Sequence, residues 1–184
     1  MRLRAVELTD LDSIMEWVGD QEITGYLSSF INPVSREMER AWVELASRDP
    51  GRPPRDLRFV IETREGLYLG NIGLHDINWR SRNAEVGIVI GKKEYLSKGY
   101  GTEAMLLMLE HSFEQLNLHR ITLRVFDFNQ RAIKSYQKCG FKEEGVLREH
   151  FFARGKYRDE IIMGILRKEF LALEVRKNPK LLGE

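Results

Sequence analysis

Glu85-Val-Gly-Ile-Val-Ile-Gly91, Lys92-Lys-Glu-Tyr-Leu-Ser-Lys-Gly-Tyr-Gly-Thr-Glu-Ala104 and Met105-Leu-Leu-Met-Leu109 follow one another without a break. The first block is β-branched and apolar around Gly87, the pattern of a buried strand whose glycine marks a bulge or a close backbone approach. In the third, Met105, Met108 and Leu109 run on into Phe113 and Leu116 at helical steps, so one face is apolar and must pack on a sheet. Between them, Ser97-Lys98-Gly99-Tyr100-Gly101-Thr102 has two residues without a Cβ and no proline. Such a turn can aim several backbone N–H groups at one point, just where the helix dipole is positive. The unit reads as strand, anion seat and helix, with phosphate as the expected guest.

Two nucleotide motifs compete for this turn. Gly99-x-Gly101-x-x-Ala104 formally fits the dinucleotide fingerprint, with Asp127 where a ribose-binding acid would stand. The match is formal only, because Gly91 to Lys98 separate strand from glycines and no further βαβ units follow. That disfavours an NAD-linked oxidoreductase. A nucleotide-hydrolase phosphate loop is excluded, since no Gly-Lys-Ser/Thr stands at the required gap.

Outward from this unit, period-two segments read as strands on both sides. Leu57–Thr63, Tyr68–Asn78 and Ala84–Ile90, joined by short polar turns, make an antiparallel meander. Before them come a strand at Leu3–Glu7, a helix capped by Thr9 or Asp10 through Leu11, Ile14, Trp17 and Val18, and a second helix from Ser35 through Met38, Trp42 and Leu45. Pro50 to Arg55 reads as a mobile turn. After the central helix, Arg120–Phe126 is a strand, Asn129 caps a helix that stops at Gly140, and Phe141–Ala153 pairs with Lys156–Leu166 around Arg154-Gly155. The tail from Glu169 reads as polar and solvated.

The 184 residues suit one domain, placed at 1–168 with a polar tail at 169–184. A net charge of +1 gives no bulk reason to expect nucleic acid or an anionic membrane. No signal segment or membrane-spanning run is seen, so cytoplasmic residence is the expectation. Cys139 is the only cysteine, which rules out an internal disulfide and a multi-cysteine metal site, and no metal is expected.

The strand order, the glycine turn and the ungapped run Asn129-Gln-Arg-Ala132-Ile133-Lys-Ser-Tyr136-Gln-Lys-Cys-Gly140-Phe141 resemble the GCN5-related N-acetyltransferase (GNAT) family over nearly the whole chain. Gly145-x-x-x-x-His150-Phe151-Phe152-x-x-Gly155-x-Tyr157-Arg158 is similar to the group of ribosomal-protein N-terminal and spermidine acetyltransferases. The family's acetyl-CoA loop is written Gln/Arg-x-x-Gly-x-Gly/Ala; Gly99 and Gly101 match, while Leu96 stands at the first position and offers no polar side chain. The resemblance implies an α+β (mixed α/β) fold, with a central, mostly antiparallel, twisted sheet splayed between the fourth and fifth strands and about four flanking helices. It also implies transfer of an acetyl group from acetyl-CoA to a primary amine by direct attack in a ternary complex. The amine would belong to a protein N-terminus, a polyamine or another small molecule.

Site roles follow from the same resemblance. Ser97, Lys98, Gly99, Tyr100, Gly101 and Thr102 would hold the pyrophosphate. A bulge near Gly87 in the strand carrying Ile88, Val89 and Ile90 would free an N–H for the thioester oxygen, and the gap beside it would take the pantetheine arm. Asn129 would reach that arm, and Lys134 or Lys138 the ribose phosphate. Tyr136 matches the proton donor to the thiolate, and Glu85 is the candidate base, with His75 and Asp76 as competitors. His150 could line the acceptor entrance, whereas His111 and His119 read as structural. Phe151 and Phe152, taken as exposed, would suit a homodimer contact. A CoA-binding regulator that has lost transfer is the alternative, with Leu96 the one feature in its favour.

Overall fold

The computed structural model describes residues 1–27, 30, 32–48, 53–153 and 155–173. Arg52 and Arg154, and the tail beyond 173, lie outside the described residues. β1 (Arg2–Ala5), β2 (Leu57–Glu62), β3 (Tyr68–Asn78) and β4 (Asn83–Ile90) run antiparallel in succession. β5 (Arg120–Phe126) lies parallel to β4, and a hairpin of β6 (Lys142–Ala153) and β7 (Lys156–Leu166) closes the sheet in the order β1-β2-β3-β4-β5-β7-β6. The alternating apolar runs therefore specify the strands, and the mixed, mostly antiparallel sheet is the one expected.

Helices cover both faces. α1 (Leu11–Val18), α2 (Gln21–Thr24) and α3 (Arg36–Ala46) come from the first third of the chain, and α4 (Tyr100–Glu110), α5 (Gln130–Lys138) and α6 (Arg167–Leu171) from the rest. Among the described residues, four of these are eight residues or longer. Met105, Met108 and Leu109 of α4, Ile133 of α5 and Phe170 of α6 share the larger core with Val86, Leu123 and Val125 of the sheet. Leu11, Ile14, Trp17 and Val18 of α1 and Val43 of α3 form a smaller core against Val60 and Tyr68, with Val89 packed on it. Because strand side chains alternate, Val86 and Val89 mark opposite faces of β4.

Several local expectations differ in detail. No register break occurs at Gly87; the irregularity lies across the ladder in β3, where Asp76 takes φ 50° between the His75–Glu85 and Asn78–Asn83 pairs. A Cβ on Gly87 would stand 3.3 Å from His75 Nε2, so this glycine marks a close approach of the His75 ring rather than a bulge. α2 is a separate short helix capped by Asp20, whose carboxylate accepts the Glu22 N–H at 2.9 Å. The tail read as solvated from Glu169 is anchored at its start, because Phe170 is fully buried against Phe113 with ring centroids 5.4 Å apart. Phe151 is not free either; it stacks on Phe126 at 4.5 Å and leaves Phe152 exposed beside Tyr157. No helix among the described residues is long and apolar enough to cross a membrane.

Asp10 does not cap α1 with its side chain. It accepts both terminal nitrogens of Arg4, at 2.7 and 2.8 Å, while Arg4 Nε reaches Glu62 at 2.8 Å. Burial alone would raise the Asp10 carboxyl, but Arg4 and the Glu7 amide outweigh it and hold Asp10 below its usual range. Arg4, with Arg2 assisting, holds Glu62 low as well. Arg4→Ala strands the buried Asp10 carboxylate, leaves Glu62 with Arg2 alone, and is expected to cost about 3 kcal/mol in denaturant unfolding. Both carboxyls are depressed on folding, so their share of stability is present above the ordinary carboxylate range and fades as pH falls through the folded values. In Arg4→Ala that acid sensitivity should flatten.

Candidate active site

The β4–β5 ladder pairs Asn83 with Arg120, Ala84 with Ile121 and Glu85 with Thr122, and stops there. Beyond it the strands part, and a cleft of about 710 Å³ opens between the halves of the sheet. Gly91 N–H donates to Leu69 C=O at 2.8 Å. By strand alternation the amides of Val89 and Gly87 also face β3, whereas those of Ile88 and Ile90 face the gap. The free donors come from the parting of the strands and need no bulge.

At one end of the cleft lies the glycine turn. Ser97 and Gly99 are left-handed, φ 62° and 86°, a backbone pattern that turns successive amides inward to form an anion nest. Among the described residues no turn or cap bond uses the amides of Ser97 to Thr102; the first such bond is Glu103 N–H to Gly99 C=O at 3.0 Å. Lys98, Lys134 and Lys138 line this end together with Ser97, Gly99, Gly101 and Thr102. Tyr100 does not line it: its ring packs on Tyr95 at 5.3 Å, leaving only its backbone at the turn. Untaken amides, a helix start and three lysines fit a diphosphate.

α5 faces the turn. The Asn129 side chain accepts the Ala132 N–H at 3.2 Å, as a cap should, and Gly140 ends the helix at φ 88°. Thr102 Oγ1 and Ser135 Oγ lie 2.8 Å apart, and the Cys139 thiol meets the Thr102 carbonyl at 3.6 Å, so α5 grips the first turn of α4 at two points. Tyr136 lines the cleft one residue on, its ring edge-on to Phe141 at 6.1 Å. Burial pushes its phenol up to about 12, so it is protonated at neutral pH and able to donate.

The other end is built from residues distant in sequence. Glu85 of β4, Arg124 and Phe126 of β5, Glu160 of β7 and Tyr26 after α2 line it with His75. Arg124 Nε meets Glu85 at 3.3 Å and Arg124 Nη1 meets Glu160 at 3.3 Å. Of the competing bases, His75 lines the cleft, whereas Asp76 turns out to pair with Arg55 at 2.6 Å. His150 stands 3.7 Å from Glu160. His111 packs on Phe59 and burial lowers its pKa, in keeping with a structural part. Tyr26, Arg124, Phe126 and Glu160 were not singled out from the sequence. The available signal was a charge inside an otherwise apolar strand, Arg124 within Ile121–Val125 and Glu160 before Ile161-Ile162-Met163.

A lysine end and a glutamate end, with free amides and a protonated phenol between them, can hold an anionic acyl carrier and a cationic acceptor on opposite sides of one opening. Among the described residues no cluster of His, Cys, Asp or Glu could hold a metal ion.

The family model for the Acetyltransferase (GNAT) domain matches residues 1–142. The chain is 34% identical to a spermidine N(1)-acetyltransferase of Vibrio cholerae, over 93% of this chain and 95% of that protein. It is 27% identical to the putative ribosomal N-acetyltransferase YdaF of Bacillus subtilis, over 91% and 92%. A crystal structure of the Vibrio cholerae spermidine N-acetyltransferase in complex with CoA and spermine superposes with a TM-score of 0.82 at 33% identity, covering 92% of this chain and 97% of that one.

Proposed function

The chain belongs to the GNAT family and is an acetyl-CoA-dependent N-acetyltransferase of primary amines; from that premise we propose that its acceptor is a polyamine, entering at the Glu85–Glu160 end of the cleft. The observation that carries this reading is the charge layout of one cleft: lysines at the phosphate turn, and at the far end two carboxylates, Glu85 and Glu160, sharing the single guanidinium of Arg124. Carboxylates match ammonium groups, and the Tyr26 ring, which carries the Arg131 guanidinium 5.8 Å from its centroid, shows that this end already holds a cation against an aromatic face. The relatives named for spermidine point the same way.

The residue roles follow. Amides from Ser97 to Thr102 hold the diphosphate, with Lys98, Lys134 and Lys138 around it. Asn129 and the gap-facing edge of β4 position the pantetheine arm. The bound co-substrate supplies an activated acyl carbon on a good leaving group. The Ile88 or Ile90 amide donates to the carbonyl oxygen as negative charge develops there, at no cost of reorganisation. An alkylammonium near 10.4 leaves about one amine in a thousand free at pH 7.4, so a base beside the acceptor matters. Glu85, on the same strand, takes that proton directly or through water, with His75 alongside. Tyr136 returns a proton to the departing sulfur.

Transfer is direct. Cys139, the one thiol in the sequence, is fully buried, does not line the cleft, and has a pKa raised to about 12 by burial. No thiolate is available there to carry an acyl group. Cys139→Ser should keep intersecting, sequential initial-rate patterns; parallel lines in the parent enzyme would refute direct attack. Leu96, the feature that favoured a silent binder, packs against the smaller core, so it has a structural use at that position.

A thiol-release assay with spermidine, spermine, a monoamine and a peptide with a free N-terminus tests the acceptor. Saturable turnover with the polyamines at a kcat/KM well above the other two is expected. A preference for the peptide would transfer the enzyme to the protein N-terminal class.

A further inference from the structure

The ion pairs of Arg124 are longer than the close pairs made by Arg4 and Arg55. Arg4–Asp10, Arg4–Glu62 and Arg55–Asp76 close to 2.7, 2.8 and 2.6 Å, the ordinary length of charge-assisted bonds. Arg124 holds Glu85 and Glu160 at 3.3 Å each, one through Nε and one through Nη1. Its side chain is 47% exposed, that of Glu85 42%, and that of Glu160 only 9%. All three line the acceptor end. A single guanidinium thus stands loosely between the two carboxylates that a cationic acceptor would use.

Resting on the polyamine reading, we infer that Arg124 is the resident cation of the acceptor seat, a specificity-determining residue that the incoming amine must displace from Glu85 and Glu160. Without it, a nearly buried Glu160 would wait between turnovers with, among the described residues, the more distant His150 at 3.7 Å as its ion-pair partner. With it, one of the two negative charges of the empty site is balanced and binding becomes an exchange of cations. Replacing one guanidinium by one ammonium changes little. An acceptor with two ammonium groups on a flexible spacer engages both carboxylates and gains over the resident charge, so the exchange selects chains carrying more than one nitrogen. Displacement also takes the guanidinium off Glu85, leaving that carboxylate to accept the proton of the reacting ammonium. Arg124 thereby couples arrival of a polycation to release of the base.

The test compares wild type, R124Q and R124K with spermidine and butylamine as acceptors, at fixed ionic strength. R124Q should lower the spermidine KM about tenfold, the size expected for losing two partly exposed ion pairs, with the acetyl-CoA KM unmoved. Its preference for spermidine over butylamine should shrink, while R124K, which keeps the cation, should stay near wild type. A spermidine KM that rises or stays put in R124Q, or an R124K that behaves as R124Q, overturns the inference. Wild type inactive on spermidine but active on another amine overturns the polyamine reading instead. Should R124Q fail to fold with Glu160 unpaired, the R124Q/E160Q double variant removes that buried charge. It should bind spermidine no more tightly than wild type, and a tenfold gain there would equally count against the exchange.

Discussion

Tyr136→Phe is expected to lower kcat by roughly 10²- to 10³-fold while the dissociation constant for acetyl-CoA stays within about twofold. The hydroxyl is the one polar group this residue brings to the cleft, and the ring packing on Phe141 survives its removal. A general acid commonly contributes about 10²- to 10⁴-fold. The lower part of that range applies because a thiol near pKa 8.5 already leaves readily. Single-turnover thiol release under saturating acetyl-CoA is the measurement; an unchanged rate removes Tyr136 from the chemistry. With the phenol raised to about 12, its ionisation lies above the working range. The rate of the parent enzyme should therefore climb as the amine loses its proton and should show no descending limb below about pH 10, since the acceptor itself titrates near 10.4.

Gly99→Val should weaken acetyl-CoA binding by roughly 10- to 100-fold, with a smaller effect on global stability. Gly99 is the N-cap of α4 at φ 86° and ψ −14°, where a β-branched residue is a steric outlier costing about 1–2 kcal/mol. The cheapest relief is to swing the peptide out of the left-handed region, which turns inward-facing amides away from the diphosphate. Each hydrogen bond to a charged group that is lost removes about 1.5–3 kcal/mol. Calorimetric titration with CoA reads the loss directly. Unchanged affinity in a folded variant would mean that the turn from Ser97 to Thr102 is not the diphosphate seat.

The two predictions come from the parts of the site that are local in sequence. Gly99, Asn129, Tyr136 and Gly140 act within a turn or two of their own backbone, so cap, stop and helical face could be read directly from residue type and spacing. The meander was equally legible, because period-two alternation and short polar turns decide strand boundaries before any packing is known. Gly87 shows the limit of such reading. A glycine inside a strand means a bulge or a close approach, and only the position of His75 across the ladder decides for the second.

Arg124, Glu85 and Glu160 belong to the other class. They lie on three strands, up to 75 positions apart, and their pairing depends on β7 docking beside β5 and on β4 parting from β5 after Glu85. The chain order dictated seven strands, a glycine nest and a capped helix, because each rests on φ/ψ preferences and hydrogen bonds a few residues long. The tertiary arrangement alone decided that Glu85 and Glu160 meet at one end of the cleft and that one guanidinium stands between them. Those outcomes are set by register and by long-range charge contacts, and no window of sequence contains both partners.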